Sequence, residues 1–127
     1  MNVVDSSGWI EFALDGPNAD AFQAPLADVD HLIVPAISIF EVYRFVFRER
    51  GRQLALTLAA SMRQGRVVDL DAGLAVEAAE LAATLGLPMA DSIIYAVAQM
   101  HRATLWTQDA DFRELEGVRF IPAGSAR

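Results

Sequence analysis

The sequence contains no cysteine and no lysine. The lack of cysteine excludes disulfides, thiolate zinc sites and thiol nucleophiles, and it fits a reducing cytosol. No apolar run approaches the ~18 residues of a membrane span. The N-terminus leads directly into a predicted strand, without a basic leader or a cleavage site. We therefore expect a cytoplasmic protein with neither a signal peptide nor a membrane span.

Positive charge is scarce and unevenly distributed. The net charge is −7, residues 1–43 contain neither lysine nor arginine, and six of the ten Lys and Arg residues are arginines between positions 44 and 66. Because broad nucleic-acid-binding faces are usually basic, a large phosphate-binding surface is not expected. The arginine-rich segment is either a solvated helix face or a local binding surface.

Strands and helices alternate along the 127 residues, which have the length of a single domain spanning 1–127. Predicted strands cover 2–5, 31–35, 66–70, 104–107 and 118–121. Predicted helices cover 19–29, 38–50, 52–64, 73–85 and 91–102, with another from residue 6 to the Gly16-Pro17 stop and a short one at 111–115. Residues 123–127 are expected to be a frayed tail. This α/β order predicts a three-layer α/β/α sandwich with a mainly parallel central sheet of about five strands.

Carboxylates follow several of these strands, at the edge where ligands bind to parallel sheets. Asp5 ends the first strand, Asp109 and Asp111 follow the fourth, Glu41 lies one turn into the helix after the second, and Asp91 opens an apolar helix. A cluster of ionised carboxylates requires protons or hard cations to compensate its charge. Mg²⁺ and Mn²⁺ suit such oxygen sites, which typically act on phosphates.

Each of these acids also has a structural alternative. Asp91 is suited to be a helix N-cap, and Asp5 has the same option. Glu41 has capping-box spacing from Ser38 and ion-pair spacing to Arg44. The convergence of several acids at one sheet edge favours a joint role over these separate ones.

The remaining polar candidates are read as structural. Asp111 and Glu114 have capping-box spacing, so Asp111 is a candidate to start the short helix, which leaves Asp109 as the freer acid. His31 lies in a loop before a strand, and His101 lies near a helix C-terminus, where a cation is favoured. The predicted site therefore needs no histidine.

Four ordered segments resemble the acidic motifs of PIN-domain ribonucleases, and the size and order of the chain resemble those of VapC toxins. The segments are Val4-Asp5-Ser6-Ser7, Ile37-Ser38-Ile39-Phe40-Glu41-Val42, Pro88-Met89-Ala90-Asp91-Ser92-Ile93-Ile94-Tyr95-Ala96 and Leu105-Trp106-Thr107-Gln108-Asp109-Ala110-Asp111-Phe112. The resemblance implies a Mg²⁺- or Mn²⁺-dependent endoribonuclease toxin that forms a homodimer and is inhibited by a cognate antitoxin. By position it implies that Asp5, Glu41, Asp91 and Asp109 are catalytic and metal-binding, with Asp111 as the alternative fourth acid.

Arg44 and Arg48 lie four residues apart on the helix that carries Glu41, and they are expected to bind RNA phosphates or an antitoxin helix. Two other functions remain open. One is a catalytically inactive PIN-like module that binds a partner. The other is a different Mg²⁺-dependent phosphotransfer domain, although receiver domains and haloacid-dehalogenase-like phosphatases normally need a lysine, which this chain lacks.

Overall fold

A computed structural model describes residues 1–124. Its five strands form one sheet in the order β3-β2-β1-β4-β5, and every neighbouring pair is parallel. The strands are β1 Asn2–Val4, β2 Leu32–Pro35, β3 Arg66–Val68, β4 Thr104–Thr107 and β5 Val118–Phe120. The predicted sheet is thus confirmed. Of the expected frayed tail, residues 123–124 form a turn and residues 125–127 lie outside the described part.

Six α-helices flank the sheet: α1 Ser6–Ala13, α2 Ala19–Ala27, α3 Ala36–Arg50, α4 Arg52–Met62, α5 Ala72–Leu85 and α6 Met89–Met100. Short 3-10 helices cover Val29–His31 and Ala110–Phe112. Two helices begin two residues earlier than predicted, because Pro35 and Pro88 occupy their N-cap positions. Proline has no backbone N–H to lose there, so each helix begins directly after it.

Alternation along the strands divides the core into two layers. Val3, Ile33 and Leu105 pack with α5 and α6 on one face of the sheet. Val4 and Val34, their strand neighbours, pack with α1 to α4 on the other face. Successive strand residues point to opposite faces, so apolar residues at consecutive positions produce the predicted three-layer sandwich.

Helix α6 is the most enclosed helix of the structure. All residues from Ser92 to Ala98 are buried, as the apolar character of this stretch predicted. No single helix within residues 1–124 is long and apolar enough to cross a membrane. The helices α5 and α6 meet that test only together, by length and composition, as a pair bent by 112°.

Candidate metal and active site

A cleft of about 350 Å³ opens at the carboxyl edge of the sheet. Asp5 and Asp109 reach it from the ends of the parallel strands β1 and β4, Glu41 from α3 and Asp91 from the first turn of α6. The other residues that line it are Ser6, Ser7, Ile10, Phe40, Arg44, Phe45 and Arg48. The structure therefore brings together the four acids of the predicted quartet and both predicted arginines.

Asp5 is held through one of its two carboxylate oxygens. Its Oδ2 accepts hydrogen bonds from Ser7 Oγ at 2.7 Å and from Thr107 Oγ1 at 2.9 Å. Its Oδ1 has no hydrogen bond among the described residues. Asp5 stands at the N-cap position of α1, but its side chain makes no capping bond, so that alternative is wrong. Burial raises the pKa of Asp5, the two hydroxyls oppose this shift, and the charges of Asp109 and Glu41 add to it.

Thr107 connects Asp5 to the loop of the fourth acid. Its fully buried hydroxyl accepts the backbone N–H of Asp109 at 2.9 Å, so its own proton is directed to Asp5 Oδ2. The sequence analysis missed this residue and the supporting roles of Ser6 and Ser7. The available signal was a hydroxyl side chain next to an acid at the end of a predicted strand.

Glu41 is positioned by a residue of another element. Its Oε1 accepts a hydrogen bond from Ser6 Oγ at 2.7 Å, across 35 positions of sequence. The capping box with Ser38 is wrong, because α3 begins at Ala36 and the Ser38 hydroxyl has no hydrogen-bond partner within residues 1–124. The ion pair with Arg44 is absent from the described residues as well.

Asp91 has no capping role either. It is the third residue of α6, and Pro88 occupies the N-cap position. The pKa of Asp91 is raised to about 7, first by burial and then by the surrounding negative charges of Asp5, Asp109, Glu41 and Asp111. Asp91 thus carries a charge that its protein surroundings disfavour.

Asp109, rather than Asp111, begins the short 3-10 helix. Its carboxylate accepts the backbone N–H of Asp111 at 2.9 Å, so the assignment of Asp109 as the freer acid is wrong. Asp91, Asp109 and Asp111 each offer one oxygen within 4.8 Å of the others. Both candidates for the fourth acid therefore lie within reach of an ion bound next to Asp91.

The PIN domain family model matches residues 3–118, which is most of the chain. The chain belongs to the PIN domain family. Among curated proteins, no sequence matches this PIN domain. The family assignment agrees with the resemblance carried by the four acidic segments.

Solved structures of toxin–antitoxin proteins share the fold. A toxin–antitoxin complex from Klebsiella pneumoniae is 23% identical with a TM-score of 0.77, and the match covers 94% of this chain and 96% of that chain. VapC20 from Mycobacterium tuberculosis, a sarcin–ricin loop cleaving toxin, is 18% identical with a TM-score of 0.78 and coverages of 95% and 97%. FitAcB from Neisseria gonorrhoeae is 25% identical with a TM-score of 0.59 and coverages of 95% and 97%.

The cleft of this PIN domain has the donor chemistry of a hard-cation site. The oxygen donors that could hold an ion there are carboxylates, and among residues 1–124 none of the four acids forms an ion pair with an arginine. The pKa of Asp91 is raised first by burial and then by the negative charges of the neighbouring acids. A divalent ion such as Mg²⁺ or Mn²⁺ fits these residues, because all-oxygen carboxylate sites select such ions.

The residues read as structural lie outside this cleft. His31 Nδ1 contacts Asp28 Oδ1 at 2.9 Å on the surface. His101 Nδ1 donates to the Val97 carbonyl at 2.9 Å, at the end of α6. Neither histidine lines the cleft, so both have only local contacts.

Proposed function

We propose that this PIN domain is a Mg²⁺- or Mn²⁺-dependent endoribonuclease. The observation that carries the proposal is the arrangement of Asp5, Glu41, Asp91 and Asp109 around one cleft, where no arginine of residues 1–124 forms an ion pair with any of the four acids. An acidic cleft by itself repels RNA phosphates, so a substrate of this charge requires a cation between them.

Each acid has a role that follows from how it is held. Asp5 presents Oδ1 to the cation, because Oδ2 already accepts two hydroxyl bonds. Asp91 and Asp109 supply further ligand oxygens, with Asp111 in reach. Glu41 Oε1 is held by Ser6, and Oε2 can orient the attacking water and accept its proton. When bound, the cation would activate that water and neutralise charge that develops on the phosphate.

The decisive experiment is Asp91→Asn, assayed for RNA cleavage and for thermal stabilisation by Mn²⁺. We expect cleavage to be lost and the Mn²⁺-induced rise in Tm to shrink, while the metal-free variant folds at least as well as the wild type. The substitution removes a half-buried charge that its neighbours repel, and no capping bond is lost. Site-specific binding must raise Tm by mass action.

The matched control is Asp69→Asn. Asp69 is an exposed acid that directly follows strand β3 and does not line the cleft. This variant should cleave RNA and respond to Mn²⁺ as the wild type does. If Asp91→Asn cleaves RNA as fast as the wild type does, Asp91 has no role in binding a catalytic metal. Mn²⁺ stabilisation without cleavage of any RNA would favour the inactive partner-binding module.

The biological role that we infer is that of a toxin with a cognate antitoxin. Support comes from the similar structures, which include a toxin–antitoxin complex and a sarcin–ricin loop cleaving toxin. Expression of the wild type should arrest growth, and Asp91→Asn should not. The homodimer is a prediction from the resemblance, and light scattering on the purified chain tests it.

A further inference from the structure

One face of α3 exposes aromatic rings beside arginines. Residues 40, 43, 44, 47 and 48 follow the helical spacing that places them on one side of the helix. Phe40 is 62% exposed and Phe47 is 49% exposed. The ring of Tyr43 stacks on that of Phe47, with centroids 5.9 Å apart and an interplanar angle of 24°. We call these five residues the aromatic–arginine face.

This face is continuous with the acidic cleft. A groove of about 790 Å³ runs along it, lined by the five residues and Ile39. Phe40, Arg44 and Arg48 line both the groove and the cleft. A chain whose phosphate lies at the acids can therefore pass directly onto the aromatic–arginine face.

The arginines of this face are not neutralised by the protein. Arg44 forms no ion pair among residues 1–124, and Arg48 approaches only its neighbour Glu49, at 3.9 Å with both side chains more than half exposed. Such exposed pairs contribute little. A ligand that suits this face therefore brings negative charge together with flat apolar groups, which is the chemistry of a nucleic acid strand.

We propose that the aromatic–arginine face binds the unpaired nucleotides of RNA that adjoin the phosphate in the cleft. The bases stack on Phe40 and Phe47, and their phosphates contact Arg44 and Arg48. This inference rests on the proposed function, which it deepens by assigning the residues that contact the nucleotides beside the cleaved phosphate. A duplex turns its bases inward to their partners, so paired RNA cannot stack on these rings.

The spacing of the two rings suits such a strand. Phe40 and Phe47 are seven residues apart, which is about 10 Å at a rise of ~1.5 Å per residue. That length spans about three nucleotides at the ~3.4 Å spacing of a stacked strand. Phe40 is adjacent to the cleft, so its base is the one closest to the reacting phosphate.

The test measures the binding of a short fluorescent oligouridine, and of the same strand annealed to its complement. Ca²⁺ replaces Mg²⁺, and gels verify that the strands stay intact. The double variants Phe40→Leu/Phe47→Leu and Phe40→Tyr/Phe47→Tyr are compared with the wild type. Leucine keeps apolar area without a π-face, whereas tyrosine keeps the π-face. The control is Phe12→Ala, because Phe12 is 40% exposed and lines neither the groove nor the cleft.

We expect the leucine variant to bind the unpaired strand roughly 5- to 150-fold more weakly for each ring lost. The tyrosine variant and the Phe12 control should bind as the wild type does, and all proteins should bind the duplex weakly. Equal binding by the leucine variant overturns the proposal, as does a wild type that prefers the duplex or binds neither probe. If the leucine variant instead keeps RNA binding and loses an antitoxin, the face belongs to a protein partner.

This test is independent of cleavage. If the protein binds unpaired RNA through these rings but hydrolyses no RNA, the aromatic–arginine face is supported and the nuclease proposal is wrong. If the leucine variant cleaves RNA and binds it as tightly as the wild type does, the nuclease proposal stands and the role of the face is wrong.

Discussion

The two sides of the acidic cleft are built differently. On one side, hydroxyl groups from α1 and β4 hold Asp5 and Glu41 by hydrogen bonds of 2.7 to 2.9 Å. On the other side, Asp91 has no hydrogen bond from a side chain of residues 1–124, and burial, followed by repulsion from its neighbours, raises its pKa to about 7. We call these the tied side and the repelled side.

The difference indicates a division of work within the site. The tied side has fixed oxygen positions before any ion arrives, so it can define geometry. The repelled side depends on a cation more directly, because no side-chain hydrogen bond from residues 1–124 offsets its burial and repulsion. Variants on the two sides should therefore fail in different ways.

The largest effect on the tied side is expected from Glu41→Gln. The amide keeps a carbonyl oxygen that can accept the Ser6 hydrogen bond, but it cannot accept a proton from water. We expect kcat to fall at least about 100-fold, the scale of general base catalysis, with Tm nearly unchanged. Single-turnover cleavage measures the first and calorimetry the second. Unchanged turnover would return Glu41 to a purely structural role.

A smaller effect is expected from Thr107→Val, which removes the hydroxyl between Asp5 and the Asp109 loop. Partners that orient metal ligands typically contribute 10- to 100-fold in metal affinity. We therefore expect Mn²⁺ to bind roughly 10- to 100-fold more weakly by calorimetric titration. Thr107→Ser should restore binding, since it keeps the hydroxyl. If the serine and valine variants bind Mn²⁺ equally weakly, the packing of the Thr107 side chain, and not its hydrogen bond, is responsible.

A still smaller effect is expected from the double variant Arg44→Ala/Arg48→Ala, which removes two residues that line the cleft but keeps its four acids. If both arginines contact phosphates, the slope of log affinity against log salt should become shallower by about 2, or about 1 per contact. RNA binding at several salt concentrations checks this. Arg113→Ala, an exposed arginine outside the cleft, is the matched control. An unaltered slope would make this arginine pair an ordinary solvated helix surface.

The smallest effect concerns pH and sharpens the assignment of the repelled side. Because the pKa of Asp91 rises from 3.8 to about 7 on folding, the metal-free native state holds a proton that the unfolded chain releases. The stability of the metal-free protein should therefore fall as pH rises between these values. The gain in Tm from Mn²⁺ should be larger near pH 8 than near pH 5. Asp91→Asn should weaken this dependence without removing it, because burial raises the pKa of Asp5 as well. A wild type without any such dependence would contradict the raised pKa of Asp91.

The sheet and both helix layers were predictable because they follow from apolar periodicity and strand–helix alternation. Val3 and Val4 illustrate this, since their adjacency predicts one residue for each face of the sheet. Helix starts were less predictable. Asp91 is a good N-cap residue by type, yet Pro88 occupies the N-cap position of α6. The N-cap preferences of single residues do not show that a helix can begin directly after a proline.

The four acids were predictable as a set but not in their contacts. Their positions after strands predicted a shared edge, whereas the partner of Glu41 is Ser6, which belongs to a different element. Local spacing instead suggested Ser38 and Arg44. Contacts between distant segments depend on how the helices pack against the sheet, and a pattern of neighbouring residues does not predict that packing.

The burial of α6 has a consequence for how such a protein can change over generations. Substitutions along Ser92–Ala98 alter packed core positions and typically cost several tenths to several kcal/mol. Exposed positions of α3 tolerate substitution at ~0.5 kcal/mol or less. The stability of the fold therefore constrains the helix that holds Asp91 more tightly than it constrains the exposed positions of α3. A change of ligand preference made at those exposed positions would leave the packing around Asp91 undisturbed.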